Sequence, residues 1–388
     1  MKLKDAMLLT GNHAAAYGAM LAQPKVMPIY PITPQTPVAE KLTEFQLQGL
    51  LDAEFITPES EHSAMAACIS ASLTGVRVFT ATSSQGLMLM HELLHFASGA
   101  RTPIVMVNAN RTVASPWGFW ADHTDSLSQR DTGWLQYYVE NPQEALDTVL
   151  QAYKTAENPS VLLPAMISYE AFYVSHSLEV VEIPSQEAVD SYLPPFDPEL
   201  RFDPEQGRSF GNVVSQELYY RHRKQLSQAM DKVFAIAKDA DEKWKELTGR
   251  TYGLVERYKC ENAQHIIIAM GTISGTARAA VDKMQSDGIP VGLMKIRLFR
   301  PFPVDKLRQE LAGRDKVIIL DRGSSPGTGG GSVLHQEVKS SLYGLKNAPE
   351  VYGYLAGVGG TNITPEKIED LVKRSLKEKS TTKSIWGW

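Results

Sequence analysis

The sequence predicts an α/β protein built of two doubly wound domains, and three observations carry that prediction. Over roughly the first 180 residues, apolar runs of strand length alternate with helical patterns at the spacing of α/β units. A stretch over 182–213 then breaks the alternation with Pro184, Pro194, Pro195, Pro198 and Pro204. Alternation resumes near residue 266, and 388 residues suffice for two cores.

Taken in order, Asn12 is expected to cap a helix through 14–21. Residues 26–32 read as a buried strand, and 36–47 as a helix after a Pro-bounded loop. A short strand at 55–57 leads into a helix of small residues at 61–73. Strands at 76–81, 104–107 and 161–167 alternate with helices at 87–97 and 143–156, the last with good i, i+4 periodicity. The Pro-rich stretch suits an extended segment over a surface. A charged helix at 215–247 follows, with Leu218, Leu226, Met230, Val233, Phe234 and Trp244 as its apolar residues. The second domain opens with a strand at 266–270, a turn at 271–275 and a helix at 276–286, and strands at 291–297 and 317–320 follow. Thr364-Pro365-Glu366 makes a capped helix start with Pro in the first helical position. The expected division is 1–258, 259–377 and a tail at 378–388, whose Trp386 and Trp388 are expected to dock on a partner subunit.

A net charge of -5 and a pI near 6.0 argue against nucleic acid as the main partner. No apolar run approaches the ~20 residues that span a membrane. Residues 1–10 faintly imitate a signal peptide, but Asp5, Asn12 and His13 interrupt it, so a cytoplasmic protein is expected. The only cysteines, Cys68 and Cys260, form no C-x-x-C pair, so this chain cannot ligate an iron–sulfur cluster alone. Cys68, among small residues on a helix, reads as a buried structural thiol.

Chemistry-bearing residues gather at the ends of the predicted strands, where ligands bind in open α/β sheets. They are Tyr30-Pro31-Ile32-Thr33-Pro34, Glu59-Ser60-Glu61-His62-Ser63-Ala64, and Thr82-Ser83-Ser84-Gln85-Gly86. Asn110-Arg111 leads on to Asp122-His123-Thr124-Asp125 and Arg130-Asp131-Thr132-Gly133-Trp134. In this order the segments resemble the α subunit of the 2-oxoacid:ferredoxin (acceptor) oxidoreductases of pyruvate, 2-oxoisovalerate or phenylglyoxylate type. The resemblance runs from about residue 8 to 370.

That resemblance implies a pyrimidine-type thiamine-diphosphate-binding domain followed by a transketolase C-terminal-like domain. Glu61 matches the activating glutamate, a carboxyl in a dry pocket against the cofactor's aminopyrimidine, where burial must raise its pKa. Read alone, Glu61 is a helix-start carboxylate favoured by the macrodipole, a purpose Glu59 would serve equally. Thr33 and Arg111 match residues that hold the substrate carboxylate or keto oxygen, a guanidinium offering bidentate donors. Their bland readings are a hydroxyl cap for the helix near Thr36 and a surface ion pair. Pro31, Ile32, Ser84 and Gln85 would border the cofactor, and Trp117 the substrate. Asp122, His123 and Asp125 would support the site from behind.

No Gly-Asp-Gly motif occurs, so the resemblance places the diphosphate, Mg²⁺ and a cluster on a β subunit, with γ and δ-type subunits beside it. The implied reaction is oxidative decarboxylation of a 2-oxoacid to acyl-CoA and CO₂. Electrons leave through iron–sulfur clusters on partner subunits to ferredoxin or another acceptor, in a dimer of hetero-oligomers. The segment Ser115-Pro116-Trp117-Gly118-Phe119-Trp120 offers an aromatic wall suited to a branched-chain or aryl tail, with pyruvate close behind.

Two other motifs compete. His91-Glu92-Leu93-Leu94-His95 satisfies H-E-x-x-H, which would make this a zinc metalloprotease with His91 and His95 as ligands and Glu92 as base. No recognisable third-ligand motif follows. Gly327-Thr328-Gly329-Gly330-Gly331-Ser332 imitates a phosphate cradle but carries Ser332 where the dinucleotide fingerprint needs its last glycine; it is expected to serve packing or subunit contact.

Overall fold

A computed structural model describes residues 5–378, 380 and 382–388. Residues 1–4 of the signal-like segment, and Lys379 and Thr381 of the tail, lie outside the described residues. In the first part the elements are β1 (Asp5–Leu9), α1 (Gly11–Ala22), β2 (Val26–Pro28), α2 (Thr36–Leu47), β3 (Glu54–Ile56), α3 (Glu61–Leu73) and β4 (Phe79–Thr82). They continue with α4 (Ser84–Leu89), α5 (His91–Gly99), β5 (Val105–Asn110), α6 (Thr124–Leu127), β6 (Leu135–Tyr138), α7 (Pro142–Ala156), β7 (Ala165–Glu170), β8 (Glu179–Ile183), α8 (Gln186–Tyr192) and α9 (Gln216–Thr248). The second part holds β9 (Val255–Tyr258), β10 (His265–Ala269), α10 (Ile273–Ser286), β11 (Val291–Ile296), β12 (Leu298–Arg300), α11 (Val304–Leu311), β13 (Lys316–Asp321), α12 (Val333–Leu342), β14 (Glu350–Leu355), α13 (Pro365–Lys377) and β15 (Ile385–Trp386).

Both expected domains are doubly wound. The first sheet runs β12-β6-β7-β5-β4, parallel except for β12, and the pair β2-β3 continues it through a bridge from Val26 to Val78. Its strands are apolar on both faces because helices cover both. Along β5, Val105, Val107 and Ala109 pack under α1 and α7, while Met106 points the other way, toward α3 and α5. The second sheet runs β15-β14-β13-β10-β11-β9 and alternates likewise. Ile266 and Ile268 face α11 and α12, whereas Ile267 and Ala269 face α10 and α13.

Several expectations need correction. Asn12 is not the cap of α1: Thr10 accepts from the His13 N–H at 3.2 Å, and Asn12 lies buried inside the helix, donating to the Pro34 carbonyl. The strand expected over 26–32 ends at Pro28, because the prolines that follow cannot donate to a ladder. The helix expected over 87–97 is two helices meeting at Met90, the first beginning at Ser84. The strand expected from residue 161 begins at Ala165, since Leu162 turns the chain with a φ of 43°. The Pro-rich stretch is not wholly extended, because Ser185 caps the helix α8. Helix α9 is close to its expected bounds, with Ser215 as cap; it buries Leu226, Val233 and Trp244 and leaves Leu218 exposed.

The glycine loop before α12 is filled by the chain itself. Ser384 of the tail accepts from the Ser332 N–H at 2.9 Å, and Asp321 accepts from the Leu334 N–H at 2.9 Å. Two of the backbone donors that a phosphate would use at this helix start are thereby taken.

A buried ion cluster joins the two parts. Lys295, at the end of β11, sits 2.7 Å from Glu144 and 3.1 Å from Glu140, and Arg297 donates to Thr148 and Gln151 at 2.7 Å each. Burial alone would lower the pKa of Lys295, but Glu144, Glu140 and Glu256 outweigh it, and the ammonium titrates above the usual lysine range. Lys295→Met takes the closer of two cations from the buried Glu144 and leaves only Arg297 Nε, 3.1 Å away, to balance it. It is expected to lower unfolding stability by about 3–5 kcal/mol, read from urea denaturation of the chain.

Candidate active site

The ends of β4 and β5 meet at one carboxylate. Asp125, fully buried on the single-turn helix α6, accepts from the Ser84 N–H at 3.1 Å and from the Arg111 N–H at 3.2 Å. It also accepts from the side-chain amides of Asn108 (3.2 Å) and Asn110 (2.6 Å) and from the Ser126 N–H (2.7 Å). Burial pushes its pKa up, against five N–H groups that all donate to it and favour the ion. Asp125 thereby fixes where Ser84 and Arg111 start.

Arg111 leaves this hub buried but reaching outward. Its Nη1 donates to the Thr33 carbonyl and its Nη2 to Gln85 Oε1, which also accepts from the Ser84 hydroxyl. Its Nε is buried with no hydrogen-bond partner among the described residues. The guanidinium carbon lies 5.1 Å from the ring centre of Trp117 and 5.7 Å from that of Phe119. Burial lowers its pKa, and Asp125 and Glu61 oppose that.

Glu61 opens α3. Ser60 caps that helix by accepting from the Ser63 N–H at 3.2 Å. The two neighbouring glutamates differ sharply. Glu59 is exposed and takes the Ser63 hydroxyl, which holds its pKa below the usual carboxylate range. Glu61 is buried, and burial raises its pKa although its own backbone and Arg111 pull the other way. The helix-start purpose therefore falls to Ser60 and Glu59. A Cβ at Gly86 would lie 2.5 Å from Glu61 Oε1 and 2.6 Å from Thr82 Oγ1, so only glycine leaves that carboxyl its place. Thr82 Oγ1 and Gln35 Oε1 nearby are buried with no hydrogen-bond partner among the described residues. A carboxyl of raised pKa, a hydroxyl with no partner among the described residues and a glycine floor fit the polar edge of an aminopyrimidine.

Of the predicted site residues, Thr33, Ser84, Gln85, Arg111 and Trp117 are thus brought together, with Glu61 close enough to feel the Arg111 charge. Thr33 is exposed beside Pro31 and half-buried Ile32. Its hydroxyl does not cap α2, whose N-cap position is Gln35 and has no side-chain cap. Asp122 and His123 point elsewhere, Asp122 to the second domain and His123 to the end of β7. Asp122 accepts from the Gly359 N–H at 3.2 Å, and His123 Nε2 lies 3.0 Å from Glu170 Oε1. Sequence reasoning missed Asn108 and Glu170. Asn108 and Asn110 at i and i+2 on a buried strand were the available signal, because buried amides require partners.

The H-E-x-x-H segment does not form a metal centre. His91 Nδ1 lies 2.5 Å from Gln129 Oε1, Glu92 is exposed 3.6 Å from His62, and no group of three or more His, Cys, Asp or Glu side chains that could hold a metal ion occurs among the described residues.

Removing the hub carboxylate should be costly. Asp125→Ala leaves buried N–H groups without an acceptor and is expected to lose on the order of 3–5 kcal/mol in urea unfolding, with Asp125→Asn in between.

Comparison with known proteins identifies the family. Residues 17–242 match the family described as "Pyruvate flavodoxin/ferredoxin oxidoreductase, thiamine diP-bdg", and residues 263–368 match "Pyruvate:ferredoxin oxidoreductase core domain II". The chain is 46% identical over 376 residues to the pyruvate synthase subunit PorA of Methanothermobacter thermautotrophicus, covering 97% of each. It is 45% identical over 372 residues to the ketoisovalerate oxidoreductase subunit VorA of Pyrococcus horikoshii, covering 95% of this chain and 93% of that one. Among solved structures, a 2-oxoglutarate:ferredoxin oxidoreductase from Magnetococcus marinus shares the fold with a TM-score of 0.74 at 20% identity, over 96% of this chain and 65% of that one. With the family matched across both halves and the relatives matched end to end, this chain belongs to the pyruvate flavodoxin/ferredoxin oxidoreductase family.

Proposed function

We propose that this chain is the α subunit of a CoA-acylating 2-oxoacid:ferredoxin oxidoreductase and supplies the aminopyrimidine half of a shared thiamine diphosphate site. The observation that carries the reading is a buried glutamate of raised pKa, Glu61, within electrostatic reach of a buried arginine, Arg111, at the carboxyl ends of one parallel sheet. The matches to both parts of the family support the two-domain division proposed from sequence, with β9 joining the second sheet and β12 the first.

Thiamine diphosphate, when bound, supplies the electron sink that decarboxylation of a 2-oxoacid requires. The residues of this chain do the rest. Glu61 holds a proton at the pyrimidine edge, with Gly86 and Thr82 shaping the floor and Pro31, Ile32, Ser84 and Gln85 as its border. Arg111 turns its guanidinium to the substrate carboxylate, where charge-assisted donors are strongest. The Thr33 hydroxyl stands beside it. Trp117 and Phe119 stack near Arg111 and suit an uncharged tail.

Mg²⁺, the diphosphate and the iron–sulfur clusters then belong to partner subunits of β, γ and δ type, with coenzyme A as acyl acceptor and ferredoxin or another carrier as oxidant. Cys68 and Cys260, both buried, leave this chain no thiolate set for a cluster. A branched-chain or aryl 2-oxoacid is the favoured substrate because of the aromatic wall. Pyruvate is the second reading, favoured by the pyruvate synthase relative, which is as similar as the ketoisovalerate one.

Glu61→Gln keeps the shape but loses the acidic proton. In the assembled complex, exchange of the cofactor's C2 proton, followed by NMR, is expected to slow by at least about 100-fold with assembly intact. Exchange at the wild-type rate would show that Glu61 does not activate the cofactor. Arg111→Ala is expected to raise the substrate KM and cost about 1.5–3 kcal/mol in kcat/KM at unchanged cofactor content. The same assay with pyruvate, 2-oxoisovalerate and phenylglyoxylate ranks the tails. A kcat/KM highest for pyruvate selects the second reading.

A further inference from the structure

The aromatic wall beside Arg111 has little core of its own. Trp117, Phe119 and Trp120 are all about half exposed, and residues 112–120 are held mainly by a closed ring of bonds at their base. There the Thr112 N–H donates to the Trp120 carbonyl at 3.1 Å, and Thr112 Oγ1 bonds both the N–H and the carbonyl of Gly118. Such a segment keeps one conformation only if something outside it offsets the entropy of ordering it.

The second domain provides that support. A short turn, Val358–Gly360, follows β14 and lies directly against Trp120. Gly360 has a φ of 75°, and a Cβ there would overlap the Trp120 Cβ and lie 3.2 Å from its Cγ. The Gly360 carbonyl accepts from the Tyr173 hydroxyl at 2.7 Å, and the Gly359 N–H donates to Asp122 at 3.2 Å. Arg322 lies over the Tyr173 ring at 5.2 Å, and Trp120 stands 5.4 Å from Phe172. Bare backbone on one side and an indole on the other therefore meet with no side chain between them.

We propose that this glycine turn is a positioning element for the substrate pocket, so that selectivity for the 2-oxoacid tail is set across the domain boundary by Gly360 acting through Trp120. The proposal rests on Arg111 as the carboxylate site, which puts Trp117 and Phe119 at the tail. The route is continuous: turn to Trp120, Trp120 to Thr112 and Gly118, and these to the rings that face Arg111.

The test uses the assembled complex and compares wild type, Gly360→Ala, Trp120→Ala and the double variant. Gly360→Ala is expected to speed hydrogen exchange at residues 112–120 while leaving β5 and α7 protected. It should also change the ratio of kcat/KM for 2-oxoisovalerate and pyruvate by about tenfold. In the Trp120→Ala background the same substitution should add little, because the contact it disturbs is gone. Unchanged exchange at 112–120, an unchanged ratio, or an equal shift in both backgrounds each overturns the proposal. An unchanged KM in Arg111→Ala instead removes the pocket reading on which it stands, and the exchange data still report separately whether the turn holds the loop.

Discussion

The Asp125 carboxylate is the interaction on which the site depends. It collects N–H groups from the start of α4, from β5, from the first residue after β5 and from its own helix. Strand ends in an open sheet would otherwise splay into independent loops, each with its own conformational freedom. One buried anion makes them a unit. What faces the ligand is then fixed by what lies behind it: Ser84 at the head of a helix with a φ of 47°, and Arg111 leaving the same carboxylate outward. A residue that touches no reactant thus determines where the reacting groups stand, as a preorganised site requires.

The second domain enters the same structure at two depths. Near the α7 side, Lys295 and Arg297 bury their charges against Glu144, Thr148 and Gln151, and β12 crosses over to pair with β6. Near the site, Glu170 at the end of β7 accepts from the Thr272 N–H at 2.9 Å while meeting His123. Burial alone would raise Glu170, but His123 and Arg322 hold its pKa below the usual carboxylate range. Polar groups at such depth are costly unless their partners are held in place, so these contacts fix the relative placement of the two sheets more than they stabilise either.

Much of this was legible in the sequence because the signals were local. Thr36–Leu47 and Glu61–Leu73 run as expected, since Pro37 sits in the first turn of one and Ser60 caps the other. Glu61, Thr33 and Arg111 could be named because the segments that hold them resemble those of a known family; read alone, each had an ordinary structural use. What stayed hidden depends on distant partners. Strands β6 and β8 carry no turn signals strong enough to separate them from loop. The Ser384 contact that fills the glycine loop joins residues 52 positions apart. Asp125 looked like one member of an acidic-histidine run, and only the fold separates it from Asp122, which reaches the second domain, and His123, which pairs with Glu170.

The short strand β15 alters how this molecule can meet others. β14 would be the outer strand of the second sheet, presenting a row of unpaired backbone groups, and such an edge is a template for pairing with a foreign strand. Ile385 and Trp386 occupy part of that row, pairing in parallel with Tyr354 and Leu355, while Ser384 is pinned at the head of α12. Sheet continuation from one molecule into the next is therefore blocked along that stretch of the edge. A neighbour arriving there meets the indole of Trp386 and, beside Lys367, that of Trp388, so recognition on this side must be by side-chain shape rather than by backbone.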